Sequence, residues 1–259
     1  MAAVVAKGTT ELINVAQEPE IVDLCNCLKS MGGKIHGAGE SRILIEGVSQ
    51  LEKATHSVIM DRIELGTYIL AAAMTEGEVS LTGGELAPLK NFVEKLSKIG
   101  IKLEEKKNII SVNRITEKIG SIYIKTEPYP GFPTDLQAQM MALLSVSNGT
   151  SVIHEQIFEN RFMHAHELIR MGATITLDGQ HARITGGPLS GADVKMTDLR
   201  AGAAMILAGL VAEGHTKISG LHHLEGQTVS ILADGSTHPD KTVSSGSVTL
   251  DRSSTNVKI

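Results

Sequence analysis

The chain has 259 residues, a formal charge of -5 and a pI near 6.1, so it lacks the basic footprint of a nucleic-acid-binding protein. Aromatic residues are only 3% and tryptophan is absent, which removes base-stacking platforms as well. The composition, 42% hydrophobic and 20% charged, is that of a soluble globular protein large enough for one large or two ordinary domains.

Met1 to Lys7 has no basic region ahead of its apolar residues, so no secretory signal is expected there. Cys25 and Cys27 lie one residue apart on a predicted helix and cannot face each other, which indicates a reducing, cytosolic compartment. The most apolar window, Ala201 to Ala212, is too short to span a bilayer.

Taken in order, the predicted elements repeat. A helix end, a glycine and a β-type run occur at Gly8, Gly77, Gly149 and Gly214, at intervals of roughly 70 residues. A second glycine marker, at Gly32, Gly100 and Gly172, follows the first by about 23 residues. Glycine suits both places because a helix stops most easily on a residue in the left-handed conformation. Helices are predicted at 62–75, 136–147 and 199–213 before the first marker, and at 19–31, 87–99 and 161–171 before the second. Short strands follow at 79–81 and 151–154 after the first marker. Others are expected at 34–35, 42–45, 174–177 and 182–185, and strands at 58–60 and 121–124 open the next units. The unit is therefore β-α-β-α-β-β. Helices as apolar as Tyr68-Ile69-Leu70-Ala71-Ala72-Ala73-Met74 belong in an interior, which predicts helices inside and small sheets outside. Residue 1 is expected to fall inside the first helix of a unit. Residues 226–259, rich in Ser, Thr, Asp and Gly and without helical periodicity, are expected to form an aberrant, loose tail.

The chemistry candidates sit at helix starts. Tyr129-Pro130-Gly131-Phe132-Pro133-Thr134-Asp135 leads into apolar residues at helical spacing, Leu136, Met140, Leu143 and Leu144. Asp135 can be an N-cap or a catalytic carboxylate; the helix dipole would keep it ionised and weakly basic. Asn160 is a candidate cap. Arg161 beside a helix N-terminus is locally unfavourable, so it serves an anion or carboxylate or else is simply solvated. Thr197-Asp198-Leu199-Arg200 repeats the Thr-Asp pair, and Met60-Asp61-Arg62 is the same corner one unit earlier. Acids and arginines at helix starts suit phosphate or carboxylate ligands, or else pair with one another. His166-Glu167-Leu168-Ile169-Arg170 lacks the second histidine of a zinc-protease motif, His164 and His166 lie on different helix faces, and His222-His223 has no evident third ligand, so no metal is expected. Gly37-Ala38-Gly39-Glu40-Ser41-Arg42 lacks the last glycine of a dinucleotide loop, and no P-loop or other cofactor signature is present.

Five stretches occur in order: Glu18-Pro19-Glu20-Ile21-Val22-Asp23, Asp61 to Thr67, Phe132 to Gln139, Glu159 to His164, and Thr197 to Ala201. Together they closely resemble the UDP-N-acetylglucosamine 1-carboxyvinyltransferase family, the enolpyruvyl transferases of bacterial peptidoglycan synthesis. The resemblance covers residues 1 to about 225 and the second part of the family's usual chain. It implies an inside-out α/β barrel of repeated units and a bacterial cytoplasmic enzyme of cell-wall biogenesis, tied to cell shape and division. The reaction would move the enolpyruvyl group of phosphoenolpyruvate to the 3-hydroxyl of UDP-N-acetylglucosamine, with no cofactor, metal, membrane or nucleic acid involved. By the same resemblance, Asp135 takes the hydroxyl proton and contacts the sugar. Ile157 contacts the UDP-sugar, and Arg161, Asp198 and Arg200 line the cleft.

Several family features are missing from the sequence. The mobile loop with its reactive cysteine has no match, and neither Cys25 nor Cys27 replaces it. The early Lys-Asn pair and the uridine-binding loop are absent, and Leu224-Glu225-Gly226-Gln227 stands where the family has an Asp-Arg-Gly-Tyr-Glu motif. Residues 1–58 are then expected to be a remnant of the first domain, and 59–225 the second domain, with half a cleft and no activity alone. The alternatives are a 5-enolpyruvylshikimate-3-phosphate synthase-like enzyme and a non-catalytic fragment acting by association. In the second, helix 18–31 would expose an apolar face.

Overall fold

The long-range repeat reappears in the strand pairing. The computed structural model describes residues 1–77 and 79–220, together with short strands at 228–229, 232–233, 236–237, 241–242, 247–252 and 257–258. The first repeat holds β1 (Thr9–Ile13), α1 (Pro19–Ser30), β2 (Lys34–His36) and β3 (Arg42–Glu46), with β3 antiparallel between β1 and β2. The second holds α2 (Arg62–Thr75), β4 (Ser80–Thr82), α3 (Lys90–Lys98), β5 (Ile101–Lys106) and β6 (Ile109–Arg114), again with the last strand in the middle. The third holds β7 (Tyr123–Lys125), α4 (Gln137–Ser145), β8 (Thr150–His154), α5 (Met163–Arg170), β9 (Thr174–Asp178) and β10 (His181–Thr185). Its sheet runs β7-β8-β10-β9, with β7 added parallel to β8. The fourth begins with β11 (Asp193–Lys195), α6 (Leu199–Val211) and β12 (Gly214–Ser219). There β11 is parallel to β12, and the strand Ser247–Arg252 pairs antiparallel on the other edge, as β10 does on β8.

Backbone conformation explains the markers. Gly8, Gly32, Gly100, Gly149, Gly172 and Gly214 all have φ between 88° and 92°, where an L side chain is strained. At the remaining marker the left-handed residue is Glu76 (φ 57°), one position ahead of Gly77, and an ion pair with Arg114 holds its side chain.

The chain forms two compact units, residues 1–61 with 128–131 and residues 62–127 with 132–259. In the first, α1 lays Cys25 and Leu28 against Ile35, Ile43 and Ile45 of its own sheet, with Val4 completing the cluster. The apolar face expected to be open on helix 18–31 is thus largely covered; Leu24 is its exposed edge. Both cysteines are free. In the second unit, every residue of α4 is buried, and α4 packs on α2 and α6. Helices α3 and α5 bury one face each, through Phe92 and Leu96 and through His164, Ala165 and Leu168. Apolar-all-round helices therefore sit inside and one-sided helices outside, as hydrophobic burial demands.

Several expectations are corrected. The first helix is only a 3₁₀ turn, Ala2–Val5, because so short a piece cannot sustain α-helical nucleation. Residues 58–60 form no strand; Val58 is 79% exposed. The helices expected at 136–147 and 87–99 each begin as a 3₁₀ turn, Thr134–Leu136 and Ala87–Leu89. The helix expected from Arg161 starts at Met163. The loose tail expected over 226–259 lies mostly outside the described residues.

Candidate active site

Two buried apolar side chains pin the turn that carries Asp135. Phe132 and Leu136 are fully buried, and Phe132 packs at 6.0 Å between ring centroids on Phe92. Leu136 lies over Gly66 of α2, where a Cβ would come within 2.5 Å of Leu136 Cδ1. Between these anchors, Thr134 and Asp135 are left part-exposed.

Asp135 is not a helix cap. Pro133 precedes the 3₁₀ turn, Leu136 precedes α4, and neither helix start has a side-chain cap. Its carboxylate is instead held by two arginines: Arg161 Nη2 donates to Oδ1 at 2.5 Å, and Arg200 Nη2 donates to Oδ2 at 3.1 Å. Partial burial raises the Asp135 pKa, but Arg161 and Arg200 outweigh it and hold the carboxyl below the usual carboxylate range.

Each arginine is placed by a local device. Asn160, expected as a cap, has φ 53° and turns the chain before α5, so Arg161 precedes the helix and folds back. Its guanidinium carbon sits 4.6 Å from the Phe158 ring centroid, and Nη1 donates to Thr134 Oγ1 at 2.8 Å. Arg200 stands in the first turn of α6, whose true cap is Asp198: Oδ1 accepts from Arg200 N and Ala201 N, each at 2.9 Å. At these corners Asp198 caps its helix, whereas Asp135 pairs with the arginines. Asp61 belongs to the first compact unit. Ile157 is part-buried, and its amide donates to Glu155.

Two neighbours escaped the sequence reading. Glu155, 1% exposed, accepts from Thr126, Thr134 and two backbone amides. Period-two alternation along β8, Ser151 and Ile153 inward, places Glu155 on the same buried face; that was the available signal. His164 is buried and its Nε2 has no protein partner. Burial pushes its ring down to about 4; the Asp198 carboxylate opposes this and Arg161 adds to it. Its signal was the spacing to Leu168, which puts both on the inner face of α5.

A separate cleft of about 700 Å³, lined by residues such as Ala72, Glu76, Asn113, Arg114 and Lys118, shares no residue with this cluster. Among the described residues no three His, Cys, Asp or Glu side chains gather as a metal ion requires, and no helix is long and apolar enough to cross a membrane.

A part-exposed carboxylate clamped by two guanidiniums at helix starts combines cationic donors suited to an anionic group with an acid able to exchange a proton. The repeated α/β architecture matches solved enolpyruvyl transferases. The enolpyruvyl transferase NikO from Streptomyces tendae superposes with a TM-score of 0.76 at 27% identity, over 86% of this chain and 53% of that one. EPSP synthase from Acinetobacter baumannii, at 18% identity, shares the fold with a TM-score of 0.54 over 76% of this chain and 47% of that one. The family model described as EPSP synthase (3-phosphoshikimate 1-carboxyvinyltransferase) matches residues 1–227, and the chain belongs to this family. Among curated relatives, the UDP-N-acetylglucosamine 1-carboxyvinyltransferase of Dinoroseobacter shibae is 56% identical over 226 residues, 87% of this chain and 54% of its own. UDP-N-acetylglucosamine 1-carboxyvinyltransferase 1 of Caldanaerobacter subterraneus subsp. tengcongensis is 53% identical over the same length. The chain thus spans about half the length of the curated relatives it matches, 54% in both cases.

Proposed function

We propose that this chain carries one wall of the cleft in which phosphoenolpyruvate and UDP-N-acetylglucosamine react. The sugar 3-hydroxyl oxygen bonds to C2 of the enolpyruvyl group, its proton passes to Asp135, and the phosphate leaves. The observation that carries this reading is the Asp135 carboxylate gripped by Arg161 and Arg200 in a chain more than half identical to named carboxyvinyltransferases. A carboxylate of lowered basicity suits the step, because the hydroxyl becomes acidic only as it attacks. Arg161 and Arg200 would share their charge with substrate anions, Ile157 would contact the UDP-sugar, and Asp198 would line the cleft while capping α6.

On this reading residues 59–225 are the second enolpyruvyl transferase domain, residues 1–58 the end of the first and 226–259 a divergent tail, and the helices-inside repeats are part of an inside-out barrel. The protein would act in the bacterial cytoplasm in cell-wall synthesis, with consequences for cell shape and division. Alone, the chain holds half a cleft and turns nothing over. Phosphate release with both substrates tests this: turnover above background that Asp135→Ala abolishes overturns the inactive half-cleft. The shared family description favours one rival, a shikimate-directed enzyme. Calorimetric titration with UDP-N-acetylglucosamine and, separately, shikimate 3-phosphate decides between them: heat with the sugar nucleotide alone is the expected result, and heat with shikimate 3-phosphate alone overturns it.

A further inference from the structure

Glu155 is surrounded by donors. Thr126 Oγ1 donates to its Oε1 at 2.9 Å, as do the amides of Ile157 at 2.8 Å and Phe158 at 3.2 Å, while Thr134 Oγ1 donates to Oε2 at 2.8 Å. Thr126 in turn accepts from Gln156 N at 2.9 Å, so the amides of three consecutive loop residues are taken up by this pair. A buried carboxylate with four donors organises its surroundings rigidly, because each donor would lose this partner if the group moved.

The direction of the Thr134 proton is the important detail. Since the hydroxyl donates to Glu155, its lone pair is left for Arg161 Nη1 at 2.8 Å. Arg161 then has one nitrogen on Thr134 and the other on Asp135. One side chain thereby sets both the loop bearing Ile157 and Phe158, on whose ring Arg161 stacks, and the rotation of Arg161 itself.

We propose that Glu155 is the positioning residue of this site, aiming Arg161 through the Thr134 hydroxyl and fixing the Ile157–Phe158 loop through its amides. The inference rests on the assignment of the Asp135 cluster as the substrate site only for its effect on binding. Glutamine at 155 keeps the shape but presents an NH₂ where Thr134 donates, reversing the polarity of that contact.

The test uses the whole chain with nitrogen-labelled arginine and backbone amides. In Glu155→Gln, rotation of the Arg161 guanidinium should quicken about tenfold, the factor one lost hydrogen bond of this kind corresponds to, and amide exchange at Ile157 and Phe158 should rise. In Thr134→Val, Arg161 rotation should quicken similarly while exchange at Ile157 and Phe158 stays within about twofold. UDP-N-acetylglucosamine affinity should fall about tenfold in both. A drop in stability with Arg161 rotation unchanged in both variants overturns the inference and leaves Glu155 merely structural. If Glu155→Gln does not fold, Thr134→Val decides alone: unchanged rotation there overturns it. Wild-type chain that binds no UDP-N-acetylglucosamine counts against the site assignment and not against Glu155, since the two spectroscopic readouts need no ligand.

Discussion

Arg200, in the first turn of α6, donates from Nη2 to Oδ2 of Asp135 at 3.1 Å, joining helix starts that lie 65 residues apart in sequence. The pair is part-exposed, with the Asp135 side chain 39% accessible, so solvent screens it. A double-mutant cycle between Asp135→Asn and Arg200→Gln should give a coupling of about 0.5–1 kcal/mol at pH 7 in low salt. Because the folded Asp135 carboxyl titrates below its unfolded value, this stabilisation is present above the unfolded pKa and is lost as pH falls through the folded one. The coupling should therefore hold from pH 7 down to the ordinary carboxylate range and vanish in stronger acid. A coupling that grows on acidification would refute the pairing.

His164 also costs stability on acidification, but through burial of a neutral ring rather than through an ion pair. Its ring is pushed down to about 4 by burial, so between the unfolded histidine value and that point the unfolded chain binds a proton that the folded chain does not. The associated stability is intact above the unfolded pKa and declines as pH drops towards 4, by on the order of 3 kcal/mol. His164→Leu should remove this part of the slope while costing little at pH 7, since Nε2 has no protein partner to lose. Urea unfolding at several pH values measures it; identical slopes in both proteins would contradict the buried neutral ring.

Gly66 lets α2 approach the Asp135 turn. A Cβ there would meet Leu136 Cδ1 at 2.5 Å in a fully buried setting, so Gly66→Ala should destabilise by about 1–3 kcal/mol despite better helix propensity. Adding Leu136→Val should recover part of that loss. Thermal unfolding of the single and double variants checks it, and purely additive losses would show that the contact is not the cause.

Asp198 separates capping from substrate contact. Asp198→Ala should cost about 1 kcal/mol by freeing the amides of Arg200 and Ala201, whereas Asp198→Asn, also a good cap, should keep most of the stability. If the carboxylate also meets substrate, Asp198→Asn will weaken UDP-N-acetylglucosamine binding at near-normal stability. Unchanged binding in Asp198→Asn confines the residue to its cap.

Local physics made much of this protein readable in its residues. The left-handed glycines, the spacing of apolar positions and the helix lengths are short-range matters, and from them came the β-α-β-α-β-β repeat and α2 with both of its ends. The stretches carrying Asp135, Arg161, Asp198 and Arg200 were also recognisable, because each is a contiguous corner at a helix start. What each corner does was decided elsewhere. Capping by Asp135 was a sound local expectation, yet arginines 26 and 65 residues away take its carboxylate, and Asp198 does the capping. Likewise Glu155 and His164 look unremarkable in one dimension and become buried, networked groups only when β8 and α5 pack. Burial and long-range partnership are properties of the packed chain, because a side chain's dielectric surroundings and hydrogen-bond partners come from distant segments that sequence spacing does not bring together.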